Sequence, residues 1–260
     1  MAARHALLVF SKPPLPGLVK TRLTTGRGGA LTPEQAAGFF KHCLWDVVGL
    51  SCAALDELGA RCGADCAFDL AVSTTPPEQA AFMRATLDAG GTLTRPALLL
   101  ADEGEAFDER LEAAFQALFA RGYEMVMAIG ADAPTMPQTH IVEAFERLRG
   151  FREHEGADGL VLAPCQECGL ALVGCGSGTP ISQRGMYYDP AGRCALDLFC
   201  ARVEQAGIPF ACLPCVCDVD EMDDLAHTLS LARALRAAAR TQQGLYVPIN
   251  VLRWAQANGM

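Results

Sequence analysis

The sequence predicts an α/β protein in which a mostly parallel sheet lies between two layers of helices. Short continuous apolar runs, the pattern of buried parallel strands, alternate with longer stretches whose apolar residues have helical spacing. Several of these runs end in loops rich in glycine, proline or aspartate. Parallel neighbouring strands need crossover connections, so the alternation favours a three-layer α/β/α architecture.

The predicted elements follow one another along most of the chain. Strands are predicted at residues 6–10, 67–73, 98–100, 125–129, 159–163, 170–174 and 209–216. Helices are predicted at residues 33–58, 77–88, 106–121, 137–149, 191–205 and 221–240. The first helix has the clearest start, because Thr32 suits the N-cap and Pro33 the first helical position. We expect one domain over residues 1–240, followed by an appendage of unassigned role at residues 241–260.

Composition limits the class of protein. The 260 residues are 51% hydrophobic, which is enough for a large core, and the net charge is −9. An acidic chain is unsuited to broad binding of nucleic acid or anionic membranes, since both need a surplus of cations. The apolar run before Lys12 is too short for a secretory signal, and no later stretch could span a bilayer. We therefore expect a soluble, cytoplasmic protein.

The loop that follows the first strand, residues 11–23, is locally basic. Prolines and a glycine restrict its backbone, while Lys12, Lys20 and Arg22 bring cations close to a strand end. Lysine acts as a mobile point charge, and arginine can hold two phosphate oxygens at once. The loop thus suits a phosphate site, although it lacks the spacing of a P-loop. The alternative is a solvated surface loop.

A carboxylate follows the strand at residues 125–129. Asp132 lies in the segment GADAP, at the end where ligands bind in parallel sheets. Such a carboxylate can coordinate Mg²⁺ or Mn²⁺, which in turn neutralises phosphate charge. The alternative is an aspartate that caps a helix or turn.

A second acidic group follows the last predicted strand. Asp218 and Asp220 would point to the same side of an extended segment, so both could face one cation. Alternatively, Asp220 caps the next helix, and Glu221 with its acidic neighbours complements the helix dipole. Both interpretations can hold for different residues of this stretch.

Three segments, taken in order, resemble those of a poorly characterised bacterial family with a GT-A-type nucleotide-diphospho-sugar transferase fold. They are FSKPPLPGLVKTRL, GADAPTM and DVDEMDDL, and the resemblance extends over residues 6–225. The segment FDERL, at the start of a central helix, also looks like a motif of this family.

The resemblance implies a site and a reaction. It implies that the donor is bound by Ser11, Lys12, Gly17, Lys20, Arg22, Arg110 and Glu167. It implies that Mg²⁺ or Mn²⁺ is bound by Asp132, Asp218 and Asp220, of which Asp132 and Asp220 also serve catalysis. The expected activity is metal-dependent transfer of a glycosyl group from a nucleotide-sugar donor to an unknown acceptor. The nearest alternative is a nucleotidyltransferase that uses a nucleoside triphosphate.

One segment departs from the family pattern. Relatives carry a stretch similar to EDGGYY between two strands, whereas residues 166–171 read QECGLA. Only Glu167 and Gly169 keep the expected chemistry. This departure motivates a further alternative, a nucleotide-binding protein without catalytic activity.

The twelve cysteines do not indicate a disulfide framework in a long chain that carries no secretory signal. We expect reduced thiols, most of them in the core. The pairs Cys165/Cys168 and Cys212/Cys215 have a spacing that also suits zinc. A catalytic cysteine–histidine pair is a further alternative, but the histidines lack a spacing that marks a partner, and we expect them at the surface or at caps.

Overall fold

The computed structural model describes residues 2–187 and 189–260, and in these residues one sheet of seven strands is flanked by helices. The strands are β1 (Ala3–Phe10), β2 (Cys66–Thr74), β3 (Ala97–Ala101), β4 (Met125–Gly130), β5 (Leu160–Pro164), β6 (Leu170–Gly176) and β7 (Phe210–Cys212). The helices are α1 (Pro33–Cys62), α2 (Ala80–Ala89), α3 (Phe107–Phe119), α4 (Gln138–Gly150), α5 (Ala195–Ala206), α6 (Met222–Ala238) and α7 (Ile249–Ala257).

The sheet is mostly parallel, as predicted. Its strand order is β3-β2-β1-β4-β6-β5-β7, and β6 alone runs antiparallel to its neighbours β4 and β5 in the described sheet. The reason is the short connection between β5 and β6, residues 165–169, which cannot hold a crossover helix. The two strands therefore form a hairpin inserted into an otherwise parallel sheet.

Strand β1, which lies between β2 and β4 inside the sheet, explains why the apolar runs are continuous. Leu7 and Val9 pack in the hydrophobic cluster on one face of the sheet, whereas Ala6 and Leu8 pack in the cluster on the other face. Successive side chains of a strand point to opposite faces, so a strand covered on both sides needs apolar residues at every position. β1 thus lies at the middle of a two-sided core.

Two predicted elements differ from the structure. The strand predicted at residues 209–216 is limited to β7. Leu213 and Val216 still donate backbone hydrogen bonds to β5, but Pro214 between them has no N–H group to continue the ladder. The helix predicted from residue 191 begins at Ala195, because Gly192 has a φ of 75° and ends a turn before it.

Residues 241–260 include α7, which packs against α1 and α6. Trp254 lies edge-on to Phe39 of α1, with ring centroids 5.0 Å apart. The buried carboxylate of Asp46 in α1 accepts hydrogen bonds from the backbone N–H groups of Asn250 (3.0 Å) and Val251 (2.8 Å). It also accepts one from Asn250 Nδ2 at 2.8 Å. A residue of α1 thus caps the first turn of α7.

None of the described helices combines the length and the apolar character needed to cross a bilayer.

We predict that Asp46→Ala lowers the free energy of unfolding by about 2–3 kcal/mol, because it leaves buried N–H groups of α7 without an acceptor. Part of the loss is offset, since burial outweighs these hydrogen bonds and raises the pKa of Asp46 to about 6. Urea unfolding measures the change. The control is Asp56→Ala, which removes an exposed carboxylate of the same helix and should cost less than about 1 kcal/mol. Equal losses in the two variants would contradict the capping role.

Candidate functional site

A cavity of about 390 Å³ opens at the carboxyl ends of β1 and β4. Ligands bind at this edge in open α/β sheets, and small-molecule sites have volumes of roughly 300–1,000 Å³. Seven of the predicted site residues line the cavity: Ser11, Lys12, Lys20, Arg110, Asp132, Asp218 and Asp220. The structure thus brings the basic loop and both acidic segments to one place.

The loop after β1 is built to place Lys20 in this cavity. The backbone N–H of Ser11 donates to Ser73 Oγ at 3.0 Å and fixes the start of the loop. Gly17 has a φ of 78° and supports a turn; it is not among the residues that line the cavity. Lys20 itself has a φ of 47°, just before a 3₁₀ turn at Thr21–Leu23. Its left-handed backbone conformation directs the chain into that turn.

The Lys20 ammonium lies between two carboxylates. Its Nζ donates to Asp132 Oδ2 at 2.6 Å and to Asp220 Oδ1 at 3.0 Å. The Lys20 side chain is only 7% exposed. Burial alone would lower its pKa, but attraction to Asp132 and Asp220 outweighs burial and raises the pKa. Lys20 therefore remains charged throughout the physiological pH range.

Arg22 approaches the same cluster from the solvent side. Its Nη1 donates to Asp220 Oδ2 at 3.1 Å, so Asp220 joins two cations. The Arg22 side chain is 57% exposed. This ion pair is weak in water, which leaves the guanidinium available for another anion.

Asp132 is placed by the end of β4. A Cβ atom added to Gly130 would lie 2.6 Å from Asp132 Oδ1, so only glycine leaves room for this side-chain orientation. The backbone then turns, and the N–H of Met136 donates to the carbonyl of Ala133. The GADAP segment therefore places a carboxylate at the strand end.

The segment before α6 uses different residues for capping and for the cavity. Asp224 Oδ2 accepts hydrogen bonds from the backbone N–H groups of Asp220 (3.0 Å) and Glu221 (2.8 Å). The Asp220 carboxylate is thereby left for Lys20 and Arg22. Asp218 lies beside them, and burial, with the charges of Asp132 and Asp220, raises its pKa to about 7.

The β5–β6 connection supports this segment through Gln166. Gln166 Nε2 donates to the Asp218 carbonyl at 2.5 Å, and Gln166 Oε1 accepts from the Asp218 N–H at 3.2 Å. Glu167, the predicted donor-binding residue, is exposed in a turn with a φ of 57° and is not among the residues that line the cavity. The residues that depart from the family pattern thus include Gln166, which holds the backbone of the acidic segment in place through its hydrogen bonds to Asp218.

Residues 58–186 match the model of DUF2064, a family described as an uncharacterized protein conserved in bacteria. The DUF2064 segment carries Arg110 and Asp132, while Lys20 and Asp220 lie outside it. The resemblance to a poorly characterised bacterial family is confirmed. No protein of curated function matches the chain by sequence.

One solved structure shares the architecture. A protein from Desulfovibrio desulfuricans G20, provisionally assigned as a nucleotide-diphospho-sugar transferase, has a TM-score of 0.68 and 23% sequence identity, with 99% of this chain and 96% of that chain covered. A cytidylyltransferase from Leptospira borgpetersenii has a TM-score of 0.49 and 10% identity, over 100% of this chain and 96% of that chain. The first similarity confirms the predicted fold, which is that of nucleotide-diphospho-sugar transferase-like proteins.

The carboxylates around Lys20 are oxygen ligands of the kind that Mg²⁺ and Mn²⁺ prefer. Within the described residues, however, no three His, Cys, Asp or Glu side chains are already grouped to hold a metal ion. Lys20 is hydrogen-bonded to both Asp132 and Asp220. The carboxylates thus fit a divalent cation chemically, but binding one requires Lys20 to leave them.

The cavity also contains a carboxylate that sequence analysis missed. Asp102 follows β3, is 6% exposed and lines the cavity. Its Oδ1 has no hydrogen-bond partner among the described residues. Burial raises the pKa of Asp102 to about 7, against the lowering effects of the Arg110 charge and the Ser73 hydroxyl. The acidic segment ADEGE gives no apolar signal that would indicate burial.

The cysteines are free, but the expectation that most of them lie in the core is wrong, since only four of the twelve are buried: Cys43, Cys52, Cys165 and Cys175. The two pairs with zinc-like spacing take part in no metal-binding group within the described residues. The expectation that histidines lie at the surface or at caps is wrong for His5, which is buried in β1 against Phe68. Burial lowers the pKa of His5 to about 4, so it packs as a neutral ring.

We predict that Asp102→Asn gains stability relative to the wild type as pH rises from about 4 to about 7. The folded-state pKa of about 7 exceeds the unfolded value of about 3.9, so the folded protein binds more protons and loses stability as pH rises between them. The difference should reach up to about 4 kcal/mol, at about 1.4 kcal/mol per pKa unit.

Urea unfolding at several pH values measures this difference, and effects common to both proteins cancel. The matched control is Glu103→Gln, which removes the exposed neighbouring carboxylate and so measures the effect of losing one negative charge at the surface. A stability difference between Asp102→Asn and the wild type that stays constant from about pH 4 to about pH 7 would contradict the prediction.

Proposed function

We propose that the protein transfers a glycosyl group from a nucleotide-sugar donor to an acceptor, with the donor diphosphate at the Lys20 end of the cavity. This end comprises Lys20, Asp132, Asp218 and Asp220. The observation that carries the proposal is the buried Lys20 ammonium, held by two carboxylates from distant parts of the chain in a cavity of ligand size.

The charges at the Lys20 end suit a diphosphate. Asp132 and Asp220 are 26% and 46% exposed, so water can solvate them when Lys20 turns to another anion. Lys12 and Arg22 are exposed and free to reorient toward the same anion. A diphosphate would thus meet one preformed buried cation and two mobile ones, in a protein whose net charge is negative.

We further propose that Asp132 and Asp220, with Asp218 beside them, hold Mg²⁺ or Mn²⁺ when the donor is bound. The ion would neutralise charge on the diphosphate leaving group. Lys20 would exchange its carboxylate partners for phosphate oxygens, which keeps each buried charge paired.

The reaction needs little covalent chemistry from the protein. The bond between the anomeric carbon and the diphosphate oxygen breaks, and its electron pair leaves with the nucleoside diphosphate. The oxygen of an acceptor hydroxyl forms the new bond to the anomeric carbon and releases its proton to water. Lys20 and Arg22 would stabilise the leaving charge, and the cavity would hold the donor in place. The acceptor is not specified by these residues.

A thermal-shift screen tests the proposal, since a ligand that binds only the native state raises its melting temperature. The ligands are nucleoside diphosphates, nucleoside triphosphates and nucleotide sugars, each with and without Mg²⁺ or Mn²⁺. Release of nucleoside diphosphate from a nucleotide sugar supports glycosyl transfer. Pyrophosphate release from a nucleoside triphosphate would support the nucleotidyltransferase. Binding without turnover over a broad acceptor panel would support a nucleotide-binding protein without catalytic activity. No shift with any nucleotide would refute the proposal.

Lys20→Ala should weaken nucleoside diphosphate binding about ten- to a hundredfold, because a charge-assisted hydrogen bond contributes roughly 1.5–3 kcal/mol. Titration calorimetry measures the dissociation constant. The control is Lys41→Ala, which removes an equal charge from α1 outside the cavity and should leave binding unchanged. The assignment of Lys20 fails if the two variants bind equally well.

Asp132→Asn should remove the gain in nucleotide affinity that Mn²⁺ gives the wild type, while affinity without metal stays within about threefold. Calorimetric titrations with and without Mn²⁺ separate the two contributions. Asp65→Asn is the matched control, since this exposed aspartate precedes β2 at the opposite edge of the sheet. A Mn²⁺ effect that persists in Asp132→Asn would place the metal elsewhere.

A further inference from the structure

Asp102 lies at the opposite end of the cavity from Lys20. This Asp102 end comprises Asp102 and Thr75 with Phe107 and Arg110 of α3, and all four residues line the cavity. Asp102 follows β3 and Asp132 follows β4, which are three strand positions apart in the sheet. Neighbouring strands are about 4.8 Å apart, so the strands that precede the two carboxylates are separated by about 14 Å. This separation is comparable to the length of a nucleoside diphosphate.

A backbone hydrogen bond fixes the position of Asp102, but one oxygen of its carboxylate accepts no hydrogen bond within the described residues. Its N–H donates to the Thr74 carbonyl at 3.1 Å, which continues the pairing of β2 with β3. Its Oδ1 nevertheless lacks a hydrogen-bond partner among the described residues, and so does the buried Thr74 hydroxyl. A buried carboxyl oxygen without a partner destabilises a fold. Its retention is explained if a ligand supplies the missing donor.

Charge determines which part of a nucleotide can lie at each end. Asp102 offsets the charge of Arg110 at its end of the cavity, whereas the basic loop after β1 adds mobile cations at the Lys20 end, so the diphosphate is directed to the Lys20 end. Three of the four aromatic side chains that line the cavity pack against one another: Phe10, Phe107 and Tyr187. The ring centroids of Phe10 and Phe107 are 5.3 Å apart, and those of Phe107 and Tyr187 are 5.0 Å apart. Such a wall suits the flat ring of a base.

We propose that Asp102 binds the nucleoside of the donor by accepting hydrogen bonds from two neighbouring N–H or O–H groups, and that it thereby determines nucleotide specificity. The inference rests on the proposed function, because it places the nucleoside of the same donor whose diphosphate is assigned to the Lys20 end. Two parts of a nucleoside present such a pair: the N1–H and 2-amino group of guanine, and the 2′- and 3′-hydroxyls of ribose. Both offer the paired donors that a carboxylate can accept.

The experiment compares dissociation constants of the wild type and Asp102→Asn for GDP, IDP, 2′-deoxy-GDP and UDP by titration calorimetry. IDP lacks the 2-amino group, and 2′-deoxy-GDP lacks one ribose hydroxyl. Asparagine has the same shape but replaces one acceptor oxygen with a donor. Glu103→Gln is the control, since it removes the neighbouring exposed charge without touching the cavity.

We expect Asp102→Asn to bind GDP at least about tenfold more weakly than the wild type, the loss expected for one hydrogen bond to a charged group. If the guanine edge is the donor pair, the wild type prefers GDP over IDP and the variant loses that preference. If the ribose is the donor pair, the wild type prefers GDP over 2′-deoxy-GDP, the loss extends to UDP, and the variant again shows no preference. Either pattern supports the role of Asp102.

Two outcomes would overturn the inference, and they differ in what they imply for the proposed function. If Asp102→Asn binds every probe as the wild type does, while Lys20→Ala loses affinity, Asp102 has no role but the diphosphate site stands. If no probe binds the wild type, the proposed function falls together with the inference. A melting temperature for Asp102→Asn at or above the wild-type value excludes misfolding as the cause of weaker binding.

Discussion

The contact of one buried ammonium group with two carboxylates organises this molecule. Lys20 belongs to the loop after β1, Asp132 follows β4, and Asp220 precedes α6. The two aspartates are therefore 112 and 200 positions away from Lys20 in the sequence. A cation with so little exposure is stable only where counter-charges are already in place. The position of β1 beside β4, the turn at Gly130 and the capping of α6 by Asp224 all contribute to that arrangement. Much of the sheet's carboxyl edge is therefore fixed around a single charge.

The same edge was largely predictable from the sequence, because its signals are local. Continuous apolar runs revealed β1 and β4, and basic or acidic residues directly after a strand had to lie at its carboxyl end. Asp102 could not be predicted in this way. The segment around it reads as an acidic surface loop, and its burial results from the pairing of β3 with β2 and from the cover of α3. Neither tertiary contact leaves a mark in the local pattern.

The β5–β6 hairpin shows how a departure from a family pattern can change the role of a loop. The glutamine at position 166 makes hydrogen bonds to both the carbonyl and the N–H of Asp218, so the loop holds the backbone of the acidic segment. Glu167 points instead to solvent. The sequence indicated that this loop is unusual, but its new partner, 52 residues away, is visible only in three dimensions.

The contact between Asp46 and α7 has a consequence for biosynthesis. The ribosome synthesises α7 after all seven strands of the described sheet, so the contacts between α1 and α7 form only late in translation. Until Asn250 and Val251 arrive, Asp46 remains hydrated and the apolar side chain of Phe39 lacks the cover of Trp254. A nascent or proteolytically clipped chain that lacks α7 therefore exposes apolar surface around Phe39 and the carboxylate of Asp46. Chaperones and proteases recognise such incompletely buried surfaces, so the cell can distinguish unfinished chains from finished ones.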